Sequence, residues 1–275
     1  VALAGSGPLV VLVHGYPQFW WAWRHQIPAL ASAGYRVAAV DLRGFGASDK
    51  PPTGYDAPTA CDDLAAIIRS LGADDAAIVG LGLGAWITWS MPTHQPAVTT
   101  AIAPIGMPHP AIFHRAMWRH PLQWRANQYL RAMQAPFASE RQALTVTRRL
   151  RAWSGPDHGW ITAETADRYT EAMAVPFAGQ AAAEYHRWFY RCRLTPTGVR
   201  YLHRVGASID TPVLHLQGEQ DPTSLPVMGQ ESRRFVDAAM TLTDIPGVGH
   251  FLPEEAPEAV SSALIAWLAV AHPSR

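Results

Sequence analysis

Cysteine is nearly absent from this chain: Cys61 and Cys192 are the two among 275 residues. Two distant thiols without a C-x-x-C spacing give neither a disulfide framework nor a zinc site, so both are expected to be free. Lysine is scarcer still, with Lys50 alone. No apolar run approaches the ~20 residues needed to span a bilayer. No charged segment followed by an apolar core opens the sequence, so no signal peptide is expected. No basic, aromatic-interleaved motif of a nucleic-acid-binding module is present. Repeats and low-complexity tracts are missing too. Together these absences favour a cytoplasmic, globular protein without a membrane span and without a nucleic-acid partner.

What the chain has instead is 48% apolar and 16% charged residues, the composition of a folded domain with a sizeable core. Formal charge is zero, but it is unevenly spread. From Arg115 to Arg204 there are fourteen arginines and six acids, a balance of +8, and the remainder carries −8. This asymmetry marks a distinct middle segment. Its arginines either pair with the acidic remainder or attract an anionic ligand.

Hydrophobic patterning locates the elements. Leu9–Val13 and Tyr35–Val40 read as buried strands, each running into a turn. Thr59-Ala60-Cys61-Asp62 reads as the cap of a helix whose buried face is Leu64, Ile67, Ile68 and Leu71. Ala76–Val79 is a third strand and Thr99–Ile105 a fourth. Between them a helix starts near Leu83 and is expected to end near Met91, before Pro92. From about 110 to 206 only helical runs appear, rich in Arg, Trp and Tyr. Strands resume at Thr211–Leu216 and Met240–Thr243, and Ala256–Val270 is the final helix. Alternating strands and helices imply a mainly parallel sheet covered on both faces. The middle segment is then an insertion between two halves of one sheet.

The third strand ends in Gly80-Leu81-Gly82-Leu83-Gly84. This is the spacing of a nucleophile elbow, in which a sharp strand-to-helix turn lifts one side chain above the sheet. The residue at the attacking position is Gly82, which has no side chain.

Five segments in order carry a family resemblance: His14-Gly15-Tyr16-Pro17 with Trp23-Arg24-His25-Gln26; Asp41 to Asp49; Val79 to Trp86 around the elbow; Gln217 to Pro222; and Gly249 to Glu255. The chain resembles the α/β-hydrolase fold superfamily, and within it the epoxide hydrolase and haloalkane dehalogenase group. The resemblance implies an α/β fold with a mainly parallel, doubly wound sheet. It also implies a hydrolase core at 1–110 and 207–275 and a helical cap at 111–206. A short antiparallel strand pair usually precedes the first conserved strand in such proteins, and Val1 leaves room for only part of it.

The same resemblance assigns roles. His250 takes the place of the catalytic histidine and Asp221 that of its orienting acid. The backbone N–H groups of Tyr16 and Leu83 take the place of the oxyanion hole. Tyr185 matches one of two cap tyrosines that bind substrate, with Tyr129, Tyr169 and Tyr190 open as the second. The cap tryptophans Trp118, Trp124, Trp153, Trp160 and Trp188 are expected mostly in its own small core, with some lining an apolar pocket. Leu81 and Leu83 stand where many relatives have His and Trp, and loss of that Trp disfavours a dehalogenase. Thr88, Ser90 and Ser48 offer no evident substitute nucleophile. No metal and no cofactor is expected.

Two functions remain open on these residues. One is a cofactor-independent enzyme acting on small molecules, in which a His250–Asp221 pair activates water directly or performs acid–base isomerase, lyase or cyclase chemistry. The other is a pseudoenzyme that has lost turnover and binds or senses a small molecule. Whether the chain is a monomer or homodimer is left open.

Overall fold

The structure is a computed structural model, and it describes residues 1–135, 137 and 142–273. Seven strands form one sheet: β1 (Ala2–Ala4), β2 (Leu9–Val13), β3 (Arg36–Val40), β4 (Ala76–Leu81), β5 (Thr99–Ile105), β6 (Val213–Gly218) and β7 (Met240–Ile245). Their spatial order is β1-β3-β2-β4-β5-β6-β7. All neighbours are parallel except β1, which runs antiparallel to β3 with Ala2 opposite Ala39. Every residue of β2, β4 and β6 is buried, as expected when helices cover both faces.

The helices follow in chain order. In the first half are α1 (Gln26–Ser32), α2 (Ala57–Ser70) and α3 (Leu83–His94). From β2 the chain crosses to β3 on one side, then returns past β2 to β4 on the other. Right-handed crossovers place α1 and α2 on opposite faces for this reason. Between β5 and β6 the described residues hold only helices: α4 (Pro110–Arg119), α5 (Pro121–Ala126), α6 (Gln128–Ala132), α7 (Gln142–Trp153), α8 (Ala163–Ala174), α9 (Ala178–Arg191) and α10 (Pro196–Val205). The chain then re-enters the sheet directly beside β5, with Ile105 opposite Leu216. Short α11 (Val227–Ser232) precedes β7, and α12 (Leu252–Glu255) and α13 (Pro257–Ala271) close the fold. Among the described residues no helix is long and apolar enough to cross a membrane.

Three local expectations need correction. The cap of α2 is Asp56, whose Oδ1 accepts from Thr59 N–H at 2.9 Å, and Thr59 is already helical. Pro58 in the first turn lacks an N–H that needs a partner, so the helix starts earlier than the Thr59 signal suggested. Ile67 and Leu71 are only half-buried, and the small residues Ala57, Ala60, Cys61 and Ala65 share the packed face with Leu64 and Ile68. Finally, α3 continues through Pro92 to His94. The proline lies in the last turn, where Thr93 Oγ1 donates to Ser90 O at 3.1 Å and supports the end.

Tryptophan use also differs from expectation. Trp188 packs on core Trp86, with ring centroids 5.5 Å apart, and Trp160 packs on Phe251 at 5.4 Å. Trp118 and Trp124 are exposed, the latter under the Arg131 guanidinium at 3.8 Å. Flat aromatic faces covered by an arginine do not need a core.

Candidate active site

In an open parallel sheet, ligands bind beyond the carboxyl ends of the strands, where adjacent connections diverge. Here that point lies between β2 and β4. Tyr16 follows β2, Gly82 and Leu83 follow β4, Gly106 follows β5, Asp221 follows β6 and His250 follows β7. Six of these segments' residues meet at one place because the strands all end at the same edge of the sheet.

His250 Nδ1 lies 2.8 Å from Asp221 Oδ2. The other carboxylate oxygen, Oδ1, accepts from Thr223 N–H and from Thr223 Oγ1, both at 2.7 Å. Thr223 Oγ1 is also 3.0 Å from His250 Nδ1. A carboxylate only accepts, so Nδ1 carries the hydrogen and Nε2 is left as the basic nitrogen. The acid side chain is fully buried, so the pair is shielded from water.

The loop bearing His250 is held from both sides. His250 N–H donates to Trp153 O at 2.8 Å, tying it to the end of α7. Glu255 accepts from the N–H groups of Gly249 (2.9 Å), Phe251 (2.8 Å) and Gly155 (2.7 Å). Burial nonetheless pushes the Glu255 carboxyl up, against those three donors. The next-door Glu254 is fully buried and receives hydrogen bonds from Gln18, Arg24 and Tyr169, the last at 2.9 Å. Desolvation outweighs the Arg24 charge and raises Glu254 to about 7.

Gly82 stands at the turn between β4 and α3 with φ +53° and ψ −107°. A Cβ built there would lie 2.7 Å from His250 Nε2 and 3.2 Å from Cε1. The imidazole edge therefore lies directly beside residue 82. Its neighbours are glycines for a different reason. A Cβ on Gly84 would meet Val13 O at 2.3 Å, and one on Gly80 would meet Gly84 O at 2.4 Å. Thus Gly84 lets the start of α3 lie against the end of β2, and Gly80 lets β4 lie against the start of α3.

A cleft opens above this turn, lined by Tyr16, Gly82, Leu83, Trp86, Gly106, Met107, Phe113, Tyr129, Leu130, Trp153, His186, Phe189, Thr223 and His250. It encloses about 490 Å³ out to its mouth. Tyr16 and Leu83 both border it. Leu83 is the first residue of α3, where helical amides have no partner within the helix. Ser48 Oγ donates to Asp41 O at 2.7 Å and Ser90 Oγ to Trp86 O at 2.9 Å; neither they nor Thr88 border the cleft.

Tyr185 does not border it either. Its ring packs between Phe45 (6.2 Å) and Tyr55 (5.4 Å), fully buried, and among the described residues its hydroxyl has no hydrogen-bond partner. Successive helical residues point ~100° apart, so the neighbouring His186 faces the cleft in its stead. Of the other tyrosines, Tyr129 lines the cleft, Tyr169 is engaged by Glu254, and Tyr190 packs on Trp118 at 5.4 Å. His186 and Thr223 were not singled out from sequence, whereas Trp153 is one of the cap tryptophans that could line a pocket, and it does. For Thr223 the Asp-x-Thr spacing was a readable signal; for His186 only the helical phase of α9 could have found it. One of the middle-segment arginines, Arg149, lies 5.0 Å from both the Tyr16 and the Trp153 rings. Among the described residues no cluster of three or more His, Cys, Asp or Glu is arranged to hold a metal.

Comparison with known proteins agrees with this geometry at the level of family. The profile of the "Alpha/beta hydrolase family" matches residues 10–263. The chain is 33% identical over 68% of its length, and 68% of the relative's, to the AB hydrolase superfamily protein YfhM of Bacillus subtilis. It is 28% identical over 95% of its length to epoxide hydrolase 4 of Mus musculus, covering 73% of that protein. Among solved structures, epoxide hydrolase A of Mycobacterium thermoresistibile superposes with a TM-score of 0.79 at 27% identity, over 98% of this chain and 93% of the other.

Proposed function

The chain belongs to the alpha/beta hydrolase family, and on that premise we propose that it is a small-molecule enzyme that works through His250 and Asp221 without a covalent intermediate. The observation that carries this reading is the intact 2.8 Å His250–Asp221 contact, with Nε2 turned to a cleft beside a residue that cannot attack. In this reading Nε2 takes a proton from water or from a carbon acid. Asp221 stabilises the imidazolium that forms and holds the ring's orientation. The N–H groups of Tyr16 and Leu83 bind the oxygen on which negative charge develops. The proton then returns from Nε2 to the leaving or rearranged oxygen. Gly82 occupies the position from which relatives of this fold attack, so the step that forms an ester with the protein is absent. The names of the relatives make epoxides the first substrates to try, and esters and lactones join them as electrophiles open to attack by an activated water.

A second reading has its own observation. His250 sits so close over Gly82 that the narrow cleft is partly closed by the imidazole itself. A protein that binds or senses a small molecule without converting it fits that closure.

A matched set of variants separates the two. The protein, His250→Ala and Gly82→Asp are assayed on a panel of epoxides, esters and lactones. Turnover by the protein that disappears in His250→Ala supports acid–base chemistry. No turnover by the protein, with activity gained in Gly82→Asp, supports the binding reading.

A further inference from the structure

We propose that the cleft selects a ligand bearing a hydroxyl group, and that His186 accepts the hydrogen bond this hydroxyl donates. The inference rests on the cleft being the substrate site, but it concerns recognition and not the chemical step.

His186 lies on α9 and borders the cleft together with Tyr16 and Tyr129. Its Nδ1 is 2.6 Å from Ala182 O, the carbonyl one turn earlier. A carbonyl cannot donate, so Nδ1 must carry the hydrogen and Nε2 must be the acceptor. Burial, reinforced by the Arg149 charge, lowers this imidazole to about 4, so it is neutral at physiological pH. The rings of Tyr16 and Tyr129 meet it edge-on at 5.1 and 5.8 Å and fix its plane. His250 offers a second imidazole acceptor, because Asp221 takes its Nδ1 hydrogen in the same way.

His186 and His250 thus border one cleft, the one on α9 and the other from the sheet side, each with its Nδ1 already engaged. An acceptor-only ligand, such as a simple epoxide or ether, would leave His186 Nε2 dry and unpaired, a cost that a site built for a donor imposes on the wrong ligand. A hydroxyl group donates to Nε2 and keeps lone pairs with which to accept from Tyr129, which borders the same cleft. A purely structural His186 would need no such ligand, since the Ala182 bond and the two tyrosine rings already hold it.

The test uses phenylethane-1,2-diol and styrene oxide, probes of similar size that differ in donors. Binding is measured by tryptophan fluorescence to the protein, and in a His250→Ala background where acid–base turnover is removed. The diol is expected to bind roughly tenfold more tightly than the oxide, the effect of about one hydrogen bond. His186→Phe should erase the difference, and His186→Gln, which keeps an acceptor oxygen, should restore part of it. Nitrogen-15 NMR of the protein should show His186 Nε2 as a pyridine-type nitrogen that shifts when the diol is added. Equal binding of the two probes, no binding of the diol, an unchanged preference in His186→Phe, or a protonated Nε2 overturns the proposal. Loss of turnover in His250→Ala bears only on the acid–base reading, so either claim can fail alone.

Discussion

A side chain at position 82 would meet two obstacles at once. The backbone there has φ +53°, and the first carbon would lie 2.7 Å from His250 Nε2. Backbone strain of this kind costs about 1–3 kcal/mol for a residue other than glycine. Gly82→Ala should therefore lower unfolding stability by about that amount in urea titration, and should move the imidazole off its present position. Equal stability of the two proteins would mean that the turn relaxes freely. Thr223 makes the second test at this scale. Thr223→Val removes the hydroxyl that touches both Asp221 and His250 while keeping the shape. One neutral hydrogen bond is typically worth ~1 kcal/mol, so kcat should fall about fivefold with KM little changed. A change in KM alone would place Thr223 in ligand binding instead. His250, Asp221 and Gly82 could be found in the sequence because each sits just after a strand in a recognisable turn. Tyr185 misled because a match of residue type says nothing about helical phase: one position along α9 turns a side chain from the cleft into the packing of Phe45 and Tyr55.

Short α12 shows what an element contributes beyond its own sequence. In the chain its two glutamates are simply neighbours of His250; in the fold Glu254 joins Gln18 and Arg24 of the first segment to Tyr169 of α8. Such long-range partners are invisible to periodicity, whereas the buried strands declare themselves by unbroken apolar runs. The raised pKa of Glu254 has a definite sign. The folded value, about 7, exceeds the ordinary 4.5, so the favourable contribution is full below pH 4.5 and is lost as pH rises through 7. Glu254→Gln should flatten this part of the stability profile between pH 5 and pH 8. Its size, on the order of 3 kcal/mol at most, is within reach of denaturant titration. An unchanged profile would assign the pH response to other groups.

Across the whole molecule, the helices between β5 and β6 are fastened to the sheet at separate points. His250 N–H bonds Trp153 O, Gly155 N–H bonds Glu255, Tyr169 bonds Glu254, and Trp86 Nε1 donates to Tyr201 Oη at 2.5 Å. Aromatic packing of Trp86 on Trp188 and Phe189 joins the two parts further. Thermal unfolding followed by far-UV and near-UV circular dichroism should give one coincident transition. Separate melting of the helical part would contradict that coupling. Strand signals in the sequence stop and resume where the sheet does, at β5 and β6, and the described residues between these strands hold only helices. How the insertion meets the sheet was not legible, because its contacts join residues far apart in sequence.

The central claim is that His250, oriented by Asp221, does the chemistry that residue 82 cannot. Its most direct measure is kcat/KM of His250→Ala against the unaltered protein, on whichever epoxide, ester or lactone the protein converts fastest. General acid–base catalysis of this kind typically contributes ~10²–10⁴-fold, so the account predicts a loss of that order with the fold intact by circular dichroism. An equal kcat/KM in the two proteins would contradict it.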